Sequence, residues 1–510
     1  MSKKLTFFLF TIVVLGTLLR IYKLDRTLSF DTDQAAAYLI ADRILSGKNL
    51  LLVGPLTTIW QVNLLPPTYY YLITLLKFFL QDELLITAFF TVTGILTVVL
   101  AFITGREISG KKAGLLSAYL TAVSVTMIQY SRNIWELHLI PFLILLSLYF
   151  IQKANRQGNV KYLWLSILTF CISLMYVSSF LLIPAMLFLW TAAYKKIKLQ
   201  PGFRSFRKIL IPFIFLLAAF YLPVLFFETF NGFPSVAYII NILTGQTGYV
   251  STNLPSAFQN LIEHSWLFLY SLFPYLNGIL ILPLLLIFLI PQSFRKNRSS
   301  GYLTSKVLTV LLSASLLLTS LYSGKAEVYR MASLYPFFFL IAGSSLNRYL
   351  IMKNNLQLKT VTYSLVLIFL SAFTIFNLKN YRFHLLQGNQ LAYKPLFNAA
   401  KFILNDAGNA SFTLYVITPF EKQNHHATPY YLALEKLTGE KLINLNQKGN
   451  WIDQNLQKKN WIYLICREYA DMSTADRDCQ EYFTRTYNLS QAVMKVKLDQ
   501  EILYKIRGQS

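Results

Sequence analysis

Only eleven carboxylates occur in the first 377 residues of this 510-residue chain, so each is informative. Four of them, Asp25, Asp31, Asp33 and Asp42, crowd the segment that follows the first apolar run. Asp31-Thr-Asp33-Gln34 opens a stretch, Gln34–Leu45, whose apolar residues recur at helical spacing. A carboxylate there can accept the proton of an attacking hydroxyl. It can equally cap the helix, its oxygen accepting from the orphan N–H groups of the first turn. Two acids two residues apart can divide those jobs.

A second constellation spans Tyr130–His138 and holds Arg132, Glu136 and His138. A third, Tyr322–Arg330, holds Lys325, Glu327 and Arg330. Cations at such places can grip an oxyanion, a guanidinium bidentately and an ammonium as a point charge. Plainer readings exist for each: interfacial snorkelling for Arg132 and Trp135, and local pairing with Glu327 for Arg330. His425-His426 lacks a nearby third ligand and reads as a surface pair, and no P-loop, zinc spacing or dinucleotide fingerprint is present.

These residues must be positioned by membrane helices. Apolar residues make up 55% of the chain and charged residues only 14%, with a mean hydropathy of +0.46. A soluble chain is nearer a quarter charged. That excludes an ordinary cytosolic enzyme, a disordered tail and a disulfide-rich secreted module. The net charge of +24 does not point to nucleic acid, because the bases lie in short clusters between apolar runs.

The runs lie near 5–22, 85–104, 113–129, 138–152, 162–177, 179–194, 209–227, 266–290, 307–322, 331–346 and 358–377. The expectation is therefore an all-α polytopic bundle of about 11 transmembrane helices, range 10–13. No small-x-small cleavage site follows the first run, so it is expected to remain as an anchor. Six Lys/Arg clusters hold 21 of the 30 bases before residue 378, against one acid, Glu107. All six fall on one side if the first span runs outward and each later run crosses once. The N-terminus is then cytoplasmic, in a bacterial-type plasma membrane. For this to hold, Pro66–Leu80 must not cross; it is too short, begins with two prolines and reads as a helix in the outer interface. Residues 23–84 then form one long outer loop with juxtamembrane helices. The outer segment 228–265 carries no specific signal.

Residues 1–378 read as the transmembrane domain and 379–510 as an extracytoplasmic, soluble α/β domain, where more than half of the acids lie. Phe412–Ile417 and Trp461–Cys466 predict strands; Tyr393–Asn405 and Thr428–Leu437 predict helices. Cys171 sits in a span and packs. Cys466 and Cys479 lie where a disulfide could persist.

The order of motifs resembles the GT-C superfamily of polyprenyl-phosphate-sugar-dependent glycosyltransferases, nearest the protein O-mannosyltransferase-like and aminoarabinose-transferase-like group (glycosyltransferase family 39 type). The carrying residues are Phe30-Asp-Thr-Asp-Gln34, Gly54-Pro55, Pro66–Tyr71, Gly105-Arg106, Ser131-Arg132, Trp135 and Tyr329-Arg330, and the resemblance covers residues 1 to about 380. It implies sugar transfer from a polyprenyl-phosphate carrier to a protein, lipid or glycan acceptor outside the membrane, with membrane lipids but no nucleic acid as partners. The family's essential loop acid falls on Asp33, with Asp31 beside it. Gln34 stands where many relatives have Glu. Leu65 stands where some place a phosphate-holding Lys, so Arg132, Lys325 and Arg330 become the phosphate candidates. Glu136, His138 and Tyr69 join them as substrate-binding candidates. A carrier phosphate is a good leaving group, so one base and one or two cations suffice, and direct displacement inverts the anomeric centre. A divalent metal, Mg2+ or Mn2+, serves some branches and not others, and the resemblance leaves this open. A transporter or flippase of lipid-linked sugars, or a non-catalytic assembly scaffold, are the other function classes; a transporter predicts charges deep in the spans and repeat symmetry.

The topology is testable by labelling single cysteines with an impermeant reagent in a background cleared of other reactive thiols. Gln81→Cys is expected to label from outside and Gly110→Cys only after permeabilisation; the reverse pattern overturns the span assignment.

Overall fold

The computed structural model describes residues 3–28, 32–47, 50–54, 65–175, 177–199, 202–244, 254–274, 305–319, 328–351, 356–382, 393–408, 410–417, 427–439, 461–467, 492–498 and 501–507. In chain order the helices are α1 (Lys3–Ile21), α2 (Leu24–Thr27), α3 (Thr32–Leu45), α4 (Thr68–Leu80), α5 (Glu83–Ser109), α6 (Lys111–Val123), α7 (Val125–Tyr130), α8 (Ile140–Gln157), α9 (Lys161–Ser173), α10 (Ile183–Lys198), α11 (Gly202–Phe230), α12 (Pro234–Leu243), α13 (Leu254–Leu272), α14 (Ser305–Thr319), α15 (Tyr335–Ile351) and α16 (Leu356–Asn380). Then come α17 (Tyr393–Ala407), β1 (Phe412–Ile417), α18 (Thr428–Thr438), β2 (Trp461–Arg467), β3 (Met494–Leu498) and β4 (Glu501–Arg507).

Among the described residues six helices are long and apolar enough to cross a membrane, within Lys3–Ile21, Glu83–Ser109, Glu136–Gln157, Ser179–Lys198, Gly202–Phe230 and Tyr363–Asn380. The chain is an integral, multi-pass membrane protein. α4 has 13 residues, about 20 Å at 1.5 Å per residue, well short of the roughly 30 Å hydrocarbon core. It ends at Gln81, whose left-handed backbone (φ 55°) lets its N–H bond the Lys77 carbonyl at 3.0 Å. Asp82 then starts α5, its Oδ1 accepting from the amides of Leu84 (2.8 Å) and Leu85 (3.1 Å).

Two expectations need adjusting. The run at 113–129 is not one helix: Ser124 turns extended (ψ 119°) between α6 and α7. The amide freed at Val125 is taken by Asn377 Oδ1 of α16 at 2.8 Å, so the break leaves that donor satisfied. Among the described residues of 228–265, α11 runs to Phe230, α12 follows, and α13 starts at Leu254. Residues 275–290 of the expected eighth run lie outside the described residues.

The chain forms two compact units. The first comprises residues 1–22, 55–66 and 88–382. Small residues let its helices approach closely. A Cβ on Gly343 of α15 would lie 2.2 Å from Ser117 Oγ and 2.7 Å from the Ala113 carbonyl; one on Gly114 would lie 2.5 Å from the Phe102 carbonyl. Backbone contact of this kind is how apolar helices gain packing energy where water offers none. Elsewhere hydroxyls tie helices together: Ser147 and Ser166 exchange bonds to each other's carbonyls at 2.9 Å, and Trp190 Nε1 donates to Ser166 Oγ at 2.8 Å.

The second unit comprises residues 23–54, 67–87 and 383–510. Its sheet has the order β1-β2-β4-β3, with β1 and β2 parallel and the remaining pairs antiparallel. The two strands and two helices expected of the tail form as the residue pattern predicts, within a residue or two at their ends. β3 and β4, a lysine-rich hairpin, lacked a signal. Leu464, Ile502, Tyr504 and Ile506 make one buried cluster of the sheet. α17 is pinned to it through Asp406, which accepts from Tyr463 Oη at 2.5 Å and pairs with Lys505 Nζ at 2.7 Å. Cys466 lies in β2, while Cys479 is outside the described residues.

Gly343→Leu is expected to destabilise the first unit by about 1–3 kcal/mol, the usual cost of overpacking. Gly202→Ala, where an added Cβ meets nothing within 4 Å, is the control and should be near neutral. Thermal unfolding in detergent checks both.

Candidate active site

In the second unit, Asp33 lies in the first turn of α3 and is half-buried. α3 begins at Thr32, and Asp31 lies outside the described residues. A carboxylate in the first turn sits at the positive end of the helix dipole. α3 is not the one-sided amphipathic helix its pattern suggests. Gln34 through Ala41 are all buried, and the four alanines among them let neighbours close in. α4 packs on one side of it and α18 on another.

Ion pairs hold this arrangement. Arg43 Nη2 reaches both carboxylate oxygens of Glu435 in α18, at 2.8 and 3.0 Å, with both side chains 8% exposed. Lys77 of α4 pairs with Asp42 at 2.6 Å, and Lys436 pairs with Glu83. Burial lowers the pKa of Lys77, with Asp42 opposing; burial and repulsion from Lys77 bring Lys436 down to about 8. Tyr69 is buried on α4, its ring 5.9 Å from that of Tyr70.

In the first unit, Arg132 lies in the turn after α7. α5 holds that turn: Thr91 Oγ1 donates to the Ser131 carbonyl at 2.8 Å, and a Cβ on Gly94 would lie 2.2 Å from the Ser131 Cβ. Arg132 is only 1% exposed. Its Nη1 donates to the carbonyls of Leu19 (3.3 Å), Arg20 (2.8 Å) and Tyr22 (3.0 Å), at the C-terminal end of α1. Burial lowers its pKa, with the Tyr381 phenol opposing. Arg20 returns the arrangement from α1. Its Nη1 and Nη2 donate to Ala122 (3.0 Å) and Thr121 (3.2 Å), at the end of α6. Each guanidinium thus closes a helix end, where the dipole favours a cation. Sequence reasoning passed over Arg20, although a charged residue inside an apolar run was the signal.

Downstream, His138 Nδ1 lies 2.7 Å from the Asn133 carbonyl, and its ring stacks on Tyr130 at 4.7 Å. Glu136 is buried in the same 3-10 turn, Glu136–Leu139. Trp135 meets His138 edge-on at 5.6 Å and Tyr329 at 5.1 Å. The Arg330 guanidinium lies over the Tyr329 ring at 5.6 Å. The two constellations separated by almost two hundred residues therefore meet through the Trp135–Tyr329 ring contact. Lys325 lies outside the described residues. Among the described residues no group of three or more His, Cys, Asp or Glu side chains is placed to hold a metal ion.

No protein-family model and no curated protein matches the sequence. Solved structures do. The chain aligns over 99% of its length with 98% of ArnT from Cupriavidus metallidurans bound to undecaprenyl phosphate, at 10% identity and a TM-score of 0.54. The fold is that of the GT-C glycosyltransferases. The apo state of the same ArnT gives a TM-score of 0.55 at 11% identity, with the same coverage. The Archaeoglobus fulgidus oligosaccharyltransferase aligns with 80% of this chain and 58% of its own, at 12% identity and a TM-score of 0.47. So low an identity speaks for the GT-C fold alone, and the chemistry must be argued from this chain's residues.

Arg132→Ala is expected to lower stability by about 2–4 kcal/mol, because it strips the partners from the last carbonyls of α1. Apparent melting temperature in detergent measures this, alongside affinity for undecaprenyl phosphate in the folded fraction. Unchanged stability with lost affinity would return Arg132 to the phosphate site.

Proposed function

We propose that this protein is a glycosyltransferase that moves a sugar from a polyprenyl-phosphate carrier to an acceptor hydroxyl on the outer side of the membrane. One observation carries the reading: the GT-C fold extends over 99% of the chain in the alignment with ArnT bound to undecaprenyl phosphate. The distribution of its acids supports it, since Asp33 is one of the few carboxylates before residue 378 and lies at a helix N-terminus.

The acceptor oxygen attacks the anomeric carbon, a new C–O bond forms, and the bond from that carbon to the carrier phosphate breaks. The electron pair leaves with the phosphate, as sugar-free polyprenyl phosphate. Asp33 accepts the acceptor's proton. No general acid is needed, because the phosphate is stable as it departs; a glycosidase, by contrast, uses two carboxylates. The charge that grows on the phosphate is met by Arg330, with Lys325 as the second candidate. A guanidinium matches two phosphate oxygens at once. Attack opposite the leaving group inverts the anomeric centre. The arrangement of about 11 spans, the extracytoplasmic α/β domain and a hexosyl or mannosyl donor belong to the same reading. The tail domain is assigned to acceptor handling.

Asp33→Asn keeps size and capping ability but cannot act as a carboxylate base. Transfer is expected to fall roughly 10²–10⁴-fold, measured as labelled sugar leaving undecaprenyl phosphate per folded protein, while Asp31→Asn costs less. Full activity in Asp33→Asn with collapse in Asp31→Asn would move the role to Asp31. Full activity in both removes the base from the mechanism, and a wild-type protein that consumes no donor overturns the reading.

A further inference from the structure

Trp135 carries a donor that nothing described so far uses. Its Nε1 is shielded from solvent and has no hydrogen-bond partner among the described residues. Buried N–H groups are nearly always paired, because an unmade bond forfeits the full cost of leaving water. The surroundings explain how the indole is held despite this. Trp135 has an extended backbone (φ −152°, ψ 145°) immediately before the Glu136–Leu139 turn. Its ring is braced by the edge of His138 at 86° and by Tyr329 at 61°. The residue as a whole remains partly exposed. Tyr329, which Trp135 meets, also lies beneath the guanidinium of Arg330.

We propose that Trp135 is a sugar-reading residue, its indole N–H donating to an oxygen of the glycosyl group while Arg330 holds the carrier phosphate. This rests on the glycosyltransferase reading above and goes beyond it by naming the part of the donor that is recognised. Sugar and phosphate are joined through a single oxygen, so a cation over Tyr329 and an N–H donor on the ring that Tyr329 meets suit both. Aromatic rings also offer apolar surface to the C–H faces of a pyranose. The chemistry of the indole restricts the sugar. It is a donor only, so it needs a hydroxyl, ring or acyl oxygen opposite it. A protonated amino group at that position would meet a donor with another donor, beside an arginine. The recognised sugar therefore presents an oxygen, and not a protonated amine, at that position.

The test uses the full-length protein in nanodiscs, with undecaprenyl-phosphate-glucose, the corresponding 2-amino-2-deoxyglucose donor, and sugar-free undecaprenyl phosphate as probes. Trp135→Phe keeps an aromatic ring and removes the N–H. It is expected to lower kcat/KM for the glucose donor about tenfold to a hundredfold, and to bind sugar-free carrier within twofold of wild type. Wild type should prefer the glucose donor to the amino sugar, and Trp135→Phe should narrow that preference. Arg330→Ala should weaken binding of both donor and sugar-free carrier. The melting temperature of each variant establishes that it is folded; should Trp135→Phe fail to fold, Trp135→Met, which also lacks the N–H and fills irregular space, replaces it with the same loss expected. A wild type that turns over donor while Trp135→Phe matches it overturns this inference and leaves the glycosyltransferase reading standing. Equal loss of donor and sugar-free carrier in Trp135→Phe also overturns it, moving the indole to the phosphate. A wild type that consumes neither donor removes both readings.

Discussion

Every polar backbone group in a membrane helix must find a partner inside the protein, and a helix end is where that is hardest. The first unit meets this demand with two arginines. Arg20, inside α1, closes the end of α6; Arg132, after α7, closes the end of α1. Neither residue is exposed to any useful extent. Both charges rest against carbonyls at the negative ends of helix dipoles, where a cation is favoured. Asn377 does a smaller version of the same job at the Ser124 break.

That constraint shapes the candidate site. Arg132 is engaged through Nη1 by the end of α1, while Arg330 lies over the ring of Tyr329. The segment after Arg132 has a fixed starting point, because the Ser131 carbonyl is bonded by α5 and Gly94 allows α5 to approach it. From there Trp135 and His138 are carried into an aromatic layer with Tyr130 and Tyr329. In the second unit the corresponding support comes from charge pairs. α3, which bears Asp33, is surrounded by α4 and α18 and locked by Arg43–Glu435 and Lys77–Asp42. Under the proposed reading, a base on so constrained a helix would be held within hydrogen-bond reach of its substrate.

The membrane class, most helix positions and the choice of Asp33 as candidate base were legible in the sequence itself. Long apolar runs have one physical outcome, and where acids are so scarce a pair such as Asp31 and Asp33 stands out. The helices and first strands of the tail were legible for the same reason, since periodicity is a local property. What tertiary structure alone decided was partnership. That Arg132 meets the carbonyls at the end of α1 could not be read from its spacing, because an arginine near an interface has the same sequence signature whatever oxygens it meets. Arg20 was hidden in an apolar run, and the pairing of Arg43 with Glu435 joins residues nearly four hundred positions apart. α3 read as amphipathic because pattern reports which face is apolar, while burial depends on what packs against the other face. The Trp135–Tyr329 contact likewise joins distant segments whose proximity no local spacing encodes. Hydropathy and helix capping act over a turn or two of chain and can be read along it; hydrogen bonds and charge pairs act over a few ångströms of space, and only the folded chain says which residues share them.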